Sequence, residues 1–178
     1  LHSGRRDGKC VLTCYTGASE KIRMRILLTK LNNDRHALEI LRDNGTRERV
    51  DLETKSLLTH DFIHLAVETE AGVQDGFWGA LARGKSMAEM NDRTGAGVAE
   101  YAGSMAVIEM LVGALSGALS GVPHDAVVTN IRGFLASVGK ESDFPAWLTP
   151  EFVVRVQERL RRLQGHWNGT PFGESMEV

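Results

Sequence analysis

The chain has 178 residues, 42% of them hydrophobic and 25% charged, which is enough apolar material for one globular domain with a sizeable core. Its 21 Lys and Arg against 23 Asp and Glu leave a net charge of −2, so no overall positive field draws it to nucleic acid or acidic lipid. Two cysteines are too few for a disulfide framework and fit a reducing, cytoplasmic compartment.

The opening "LHSGRRDGKC" lacks the apolar run of a secretory signal, and a first residue other than Met implies a trimmed or atypical start. Residues 1–20 carry few large apolar side chains and no sustained period, which predicts a flexible arm ahead of a single α+β domain over 21–178. Within that arm, Cys10 and Cys14 have the wrong gap for a zinc ribbon or a thioredoxin-like pair, although a metal or redox role is open to them.

A β-meander is expected over 22–53. Ile22, Met24, Ile26 and Leu28 alternate with Arg23, Arg25 and Leu27, the period of a half-buried strand. "HALEILRDNGTRERVDLE" then reads as a hairpin. A three-residue loop Asp43-Asn44-Gly45, with Gly45 at positive φ, sets Leu38 against Val50, His36 against Leu52 and Glu39 against Arg49. A two-residue Asn44-Gly45 loop would oppose Leu38 to Asp51, so the longer loop is preferred.

From Ser56, a candidate N-cap, the period becomes helical, and the helical part is expected over 56–166. Helices are predicted at about 56–72, 77–90, 98–120, 125–139 and 150–164. The last has Thr149 as cap, Pro150 at its first position, an apolar stripe of Phe152, Val156, Leu160 and Leu163, and Gly165 as its stop. The tail 167–178 could return as an edge strand beside the hairpin. The most apolar run, Val107 to Val122, is interrupted by Glu109 and is shorter than the ~20 residues of a membrane span.

The chemistry is concentrated in "LTHDFIHLAVETE", residues 58–70. At about 100° per residue, His60 and His64 lie about 40° apart on one helix face and about 6 Å apart along the axis, so two imidazoles can meet on one ion. The spacing by itself arises by chance in about one chain in six of this composition, so its context matters. Leu57, Leu58, Phe62, Ile63, Leu65, Ala66 and Val67 cover most of the helix, while His60, Asp61, His64 and Glu68 share one sector. Burying such groups costs several kcal/mol unless they are paired, and a divalent cation is one partner. A hydrogen-bonded core cluster and a solvated cleft wall are the others.

Glu68 stands about 12 Å along the axis from His60, too far to share an ion easily, and is expected to hydrogen-bond the outer nitrogen of His64. Glu109 is the expected third ligand. It sits among Ala102, Ala106, Gly113, Ser116 and Ser120, a stripe that would let the histidine helix approach closely. A salt bridge from Glu109 to an arginine is the alternative.

"HDFIH" resembles the HExxH of zinc peptidases in spacing, which would make Asp61 the base that activates water, or, being one methylene shorter, a residue that orients a ligand. It also resembles the His-Asp-x-x-His of a ubiquinone-biosynthesis family, whose motif continues with a Glu where this chain has Gly76 beside Asp75. Each resemblance covers about a dozen residues and assigns the chain to neither family.

The leading expectation is thus a metal-binding protein, zinc first among the ions, with ligands His60, His64 and Glu109 and with a small-molecule substrate. Hydrolysis of a carbonyl or phosphoryl group would be its simplest reaction. Its rivals are a non-catalytic interaction or homo-oligomerisation module, and an apolar-ligand binder walled by Phe77 and Trp78 with Gly76 and Gly79 as flexible points. His124 and His166 read as turn or helix-end residues, and Arg155, Arg159 and Arg162 as solvated charge.

Overall fold

The structure, a computed structural model, describes residues 12–15, 21–91, 102–118 and 123–178. It is an α+β fold. The period-two run forms β2 (Lys21–Lys30), burying Met24, Ile26 and Leu28 and exposing Arg25. β2 pairs antiparallel with β3 (Arg35–Arg42), which pairs in turn with β4 (Arg47–Glu53). The β3–β4 register is the one a three-residue loop demands: His36 opposes Leu52, Leu38 opposes Val50 and Glu39 opposes Arg49. The Arg42 amide donates to the Thr46 carbonyl, closing the loop with Gly45 at φ 83°. Glu39 takes both neighbouring cations, Arg47 at 2.5 Å and Arg49 at 3.8 Å.

The free edge of β2 is shared. β1 (Leu12–Tyr15) pairs with its first residues, and β5 (Ser175–Glu177) with Leu27–Thr29, so the sheet has five strands where about three were expected. β1 falls within the stretch read as an arm: its four residues are too few to show a period, and the ladder with β2 makes it a strand. Cys14 lies there, opposite Ile22, while Cys10 is outside the described residues. The tail returns as predicted, against β2 rather than against the β3–β4 pair.

A single π-helical turn, Thr54–Leu58, leads from β4 into α1 (Thr59–Ala71), so Ser56 is no cap; its hydroxyl bonds the Glu53 carboxylate instead. The helix expected over 77–90 is two short ones, α2 (Phe77–Ala82) and α3 (Met87–Met90). Gly84 breaks them at φ 101°, and Ser86 with Glu89 forms a capping box that starts α3. α4 (Ala102–Ala118) and α5 (His124–Ser137) follow, the predicted loop 91–97 lying almost wholly outside the described residues.

α6 (Pro150–Gly169) begins as predicted, with the Thr149 hydroxyl accepting from Phe152 N, but runs through Gly165. Trp167 extends the apolar stripe by two turns beyond Leu160. It is buried edge-on against His36 of the sheet. Burial of a tryptophan outweighs the ~1 kcal/mol that a glycine costs a helix.

α1 is the centre of the helical layer, packed between α4 and α6. Phe62, Ile63, Leu65, Ala66 and Val67 are all buried in the same core as Met24, Ile26, Leu38 and Ile40 of the sheet. Arg155 and Arg159 are more than solvated charge, since both pair with Glu70 and tie α6 to α1. Among the described residues, no helix is long and apolar enough to cross a membrane.

Candidate metal centre

The site begins with α1, which places His60, Asp61, His64 and Glu68 on the side facing α4 and α2. His64 and Glu68 are buried to 2% exposure each, while the His60 side chain remains 45% exposed. The two imidazoles stand with ring centroids 4.6 Å apart. His64 Nε2 lies 3.2 Å from Glu109 Oε1, and His60 Nε2 lies 3.8 Å from Glu109 Oε2. One ligand atom from each of His60, His64 and Glu109 falls within 4.8 Å of the others.

The structure therefore brings together the three residues chosen from sequence, although the packing argument that selected Glu109 is wrong. α4 buries Ile108, Leu111, Val112 and Leu115, and it turns Ala106, Gly113 and Ser116 to solvent. Large apolar residues make the core contact of α4, and Glu109 reaches the histidines from the boundary between its buried and exposed faces. Glu109 meets no arginine among the described ion pairs, only the two histidines.

Each imidazole is also held from behind. Asp61 Oδ1 lies 3.5 Å from His60 Nδ1, and Glu68 Oε1 lies 3.3 Å from His64 Nδ1. With Nδ1–H directed at an acid, the Nε2 lone pair of each ring is presented to the shared space beside Glu109.

Glu68 has a second task that sequence reasoning missed. Its carboxylate accepts from the backbone amides of Phe77 at 3.0 Å, Trp78 at 2.9 Å and Gly79 at 3.4 Å, the first turn of α2. Gly76 and Gly79 permit this approach. A Cβ on Gly76 would stand 2.3 Å from Glu68 Cδ, and one on Gly79 would stand 1.9 Å from the Gln74 carbonyl oxygen. Both are buried packing positions, not the flexible points expected from the sequence.

Charge and burial perturb the cluster. Hydrogen bonds to Asp61 and then Glu109 raise His60 to about 9, against a smaller opposing effect of burial. For His64 burial is the largest single influence and lowers the pKa, yet the hydrogen bonds to Glu109 and Glu68 together raise it. His60, then His64, hold Glu109 well below the usual carboxylate range.

A pH dependence follows for the metal-free protein. A histidine raised above its unfolded value stabilises the fold fully below about pH 6.5 and loses that contribution as pH rises through the folded value of about 9. Discounted for the half-exposed His60 side chain, the loss is on the order of 1 kcal/mol. Chemical denaturation of chelated protein at pH 6 and pH 9.5 should show it, and the difference should shrink in His60→Ala to the part that His64 contributes.

The centre opens into a pocket of about 180 Å³. Leu52, Leu57, Phe77, Met87, Met90 and Met105 supply its apolar lining, His60, Asp61, His64 and Glu109 form a polar wall, and Asn91 adds a carboxamide at the end of α3. Trp78, expected as a wall residue, is instead buried in the core at 2% exposure. His124 bonds Gln157 on α6 and His166 is exposed, and neither joins the cluster. No family model matches the chain, and no curated protein or solved structure resembles it closely enough to match. Its class therefore rests on fold and site: an α+β protein with a His₂Glu cluster that could hold a metal ion.

Proposed function

We propose that this is a divalent-metal-binding protein, with zinc the leading ion, and that the bound metal serves hydrolysis of a small-molecule substrate. One observation carries the reading: two Nε2 atoms converge on a single carboxylate while each Nδ1 is engaged by a separate acid. Ligand atoms about 2.0–2.1 Å from a tetrahedral ion stand about 3.3 Å from one another. The 3.2 Å contact between His64 and Glu109 already matches, and the half-exposed His60 and Glu109 side chains can rotate to close the remainder.

Three carboxylates, from Asp61, Glu68 and Glu109, surround the two imidazoles, so a divalent cation with neutral histidines leaves less uncompensated charge than an empty site with neutral histidines. Such an ion supplies Lewis acidity and a water acidic enough to ionise near neutral pH. His60, His64 and Glu109 hold it, Glu68 fixes the His64 tautomer, and Asp61 orients His60 from the edge of the pocket. Asp61 is thus better suited to positioning a ligand than to taking the proton of a nucleophile.

Protons on both histidines can satisfy the same contacts without any metal, which is the competing reading of a polar network. Elemental analysis of protein purified without a histidine tag decides between them. About one equivalent of transition metal after loading and gel filtration is expected, and less than about a tenth of an equivalent sinks the assignment.

A further inference from the structure

The pocket carries information about what meets the centre, and the inference drawn from it rests on the metal reading above. Its ionisable groups lie on the α1–α4 wall, while Met87 and Met90 of α3, the Asn91 carboxamide that ends α3, and Met105, one turn ahead of Glu109 on α4, line the rest with Leu52, Leu57 and Phe77. Phe77 lies against His64, ring centroids 5.9 Å apart, so an apolar surface begins directly beside the buried ligand.

This wall is built in advance of any ligand. The capping box of Ser86 and Glu89 sets α3, and Met87 N donates to Glu48 of β4 at 2.9 Å. Glu48 is itself paired at 2.7 Å with the buried Arg42, whose guanidinium also bonds the carbonyls of Leu81 and Lys85.

Size and charge narrow the ligand. An apolar cavity of about 150 Å³ takes up benzene, so the 180 Å³ here accommodates a compact group of about six to eight carbons. Among the described residues lining the pocket there is no Lys or Arg, while Asp61 and Glu109 both face it. The metal can take one anionic oxygen, but a further phosphate or carboxylate on the apolar side would meet Asp61 and Glu109 with no Lys or Arg to balance it. Methionine side chains are flexible and polarisable, so a wall of three adapts to several apolar shapes, aromatic ones included.

We propose that the substrate of this centre is a molecule in which the oxygen that meets the metal is joined directly to a compact apolar group that carries no charge. That group sits against Met87, Met90, Met105 and Phe77. The ionisable wall engages the oxygen-bearing end, and specificity lies in the methionines.

The test uses the full chain labelled with ¹³C at its methionine methyls. Benzyl alcohol added to metal-free protein should shift the methyls of Met87, Met90 and Met105 and leave Met24 and Met176, buried in the sheet, unmoved. 4-Carboxybenzyl alcohol, which carries its charge on the apolar side, should shift none of them. In protein loaded with Co(II), benzohydroxamate should change the visible spectrum with an affinity at least about tenfold above that of acetohydroxamate, from the added apolar area. A 4-carboxyl on the benzohydroxamate ring should remove that gain, and Met87→Ala, checked for an unchanged melting curve, should cut it about threefold. Equal affinity for the two unsubstituted hydroxamates, or 4-carboxybenzyl alcohol binding as well as benzyl alcohol, overturns the proposal. Methyl shifts without Co(II) uptake would remove the metal reading and leave the pocket assignment standing; Co(II) uptake without the shifts would do the reverse.

Discussion

Gly76→Ala should destabilise the protein by about 3 kcal/mol, lowering its melting temperature by roughly 6–12 °C, although Gly76 has an unstrained backbone and no side chain to lose. The added Cβ would fall 2.3 Å from Glu68 Cδ, so either α2 or the carboxylate must move. Glu68 is buried and accepts three backbone amides together with His64 Nδ1, so displacing it strips partners from a buried charge. Gly113→Ala is the control. A Cβ there meets nothing within 4 Å, and alanine is the better helix former, so thermal unfolding should be unchanged or slightly raised. A Gly76→Ala melting curve that overlays the wild type would mean that α2 does not rest on Glu68 as described.

His64→Ala should produce the largest functional loss, weakening zinc affinity by more than about a hundredfold in competition with a chromophoric chelator. His64 is the most deeply buried of the three proposed ligands, and no other described histidine can replace it. Glu68→Gln should fall between His64→Ala and wild type, at about 10–100-fold. Both Glu68 oxygens already accept a backbone N–H, so either amide orientation sets an NH₂ against a donor. If the NH₂ turns to His64 Nδ1, the ring proton moves to Nε2 and the lone pair facing Glu109 is lost. Wild-type affinity in Glu68→Gln would show that the tautomer is set elsewhere.

The parts of this molecule that were legible in the sequence are those decided by near neighbours along the chain. The β3–β4 register followed from a period of two and a glycine at positive φ, because a one-residue slip would have set Leu38 against Asp51. The pairing of His60 with His64 followed from helical pitch, and so did the reach of Glu68 to the outer nitrogen of His64. The break at Gly84 was also available, since Ser86 and Glu89 spell a capping box that the continuous-helix reading passed over.

Other features had no local signal. β1 is a strand because β2 offers it an edge, and α6 passes Gly165 because Trp167 finds His36 across the sheet. The amino-acid order by itself determined the hairpin, the cap and start of α6, and a helix bearing two imidazoles and two acids on one side. Only tertiary packing decided that Glu109 swings in from the edge of α4, that Gly76 lets α2 close on Glu68, and that three methionines line the opening. The division has a physical cause: backbone periodicity is written in residues a turn or a pleat apart, whereas a binding site depends on groups brought close by burial of apolar faces that carry none of its chemistry.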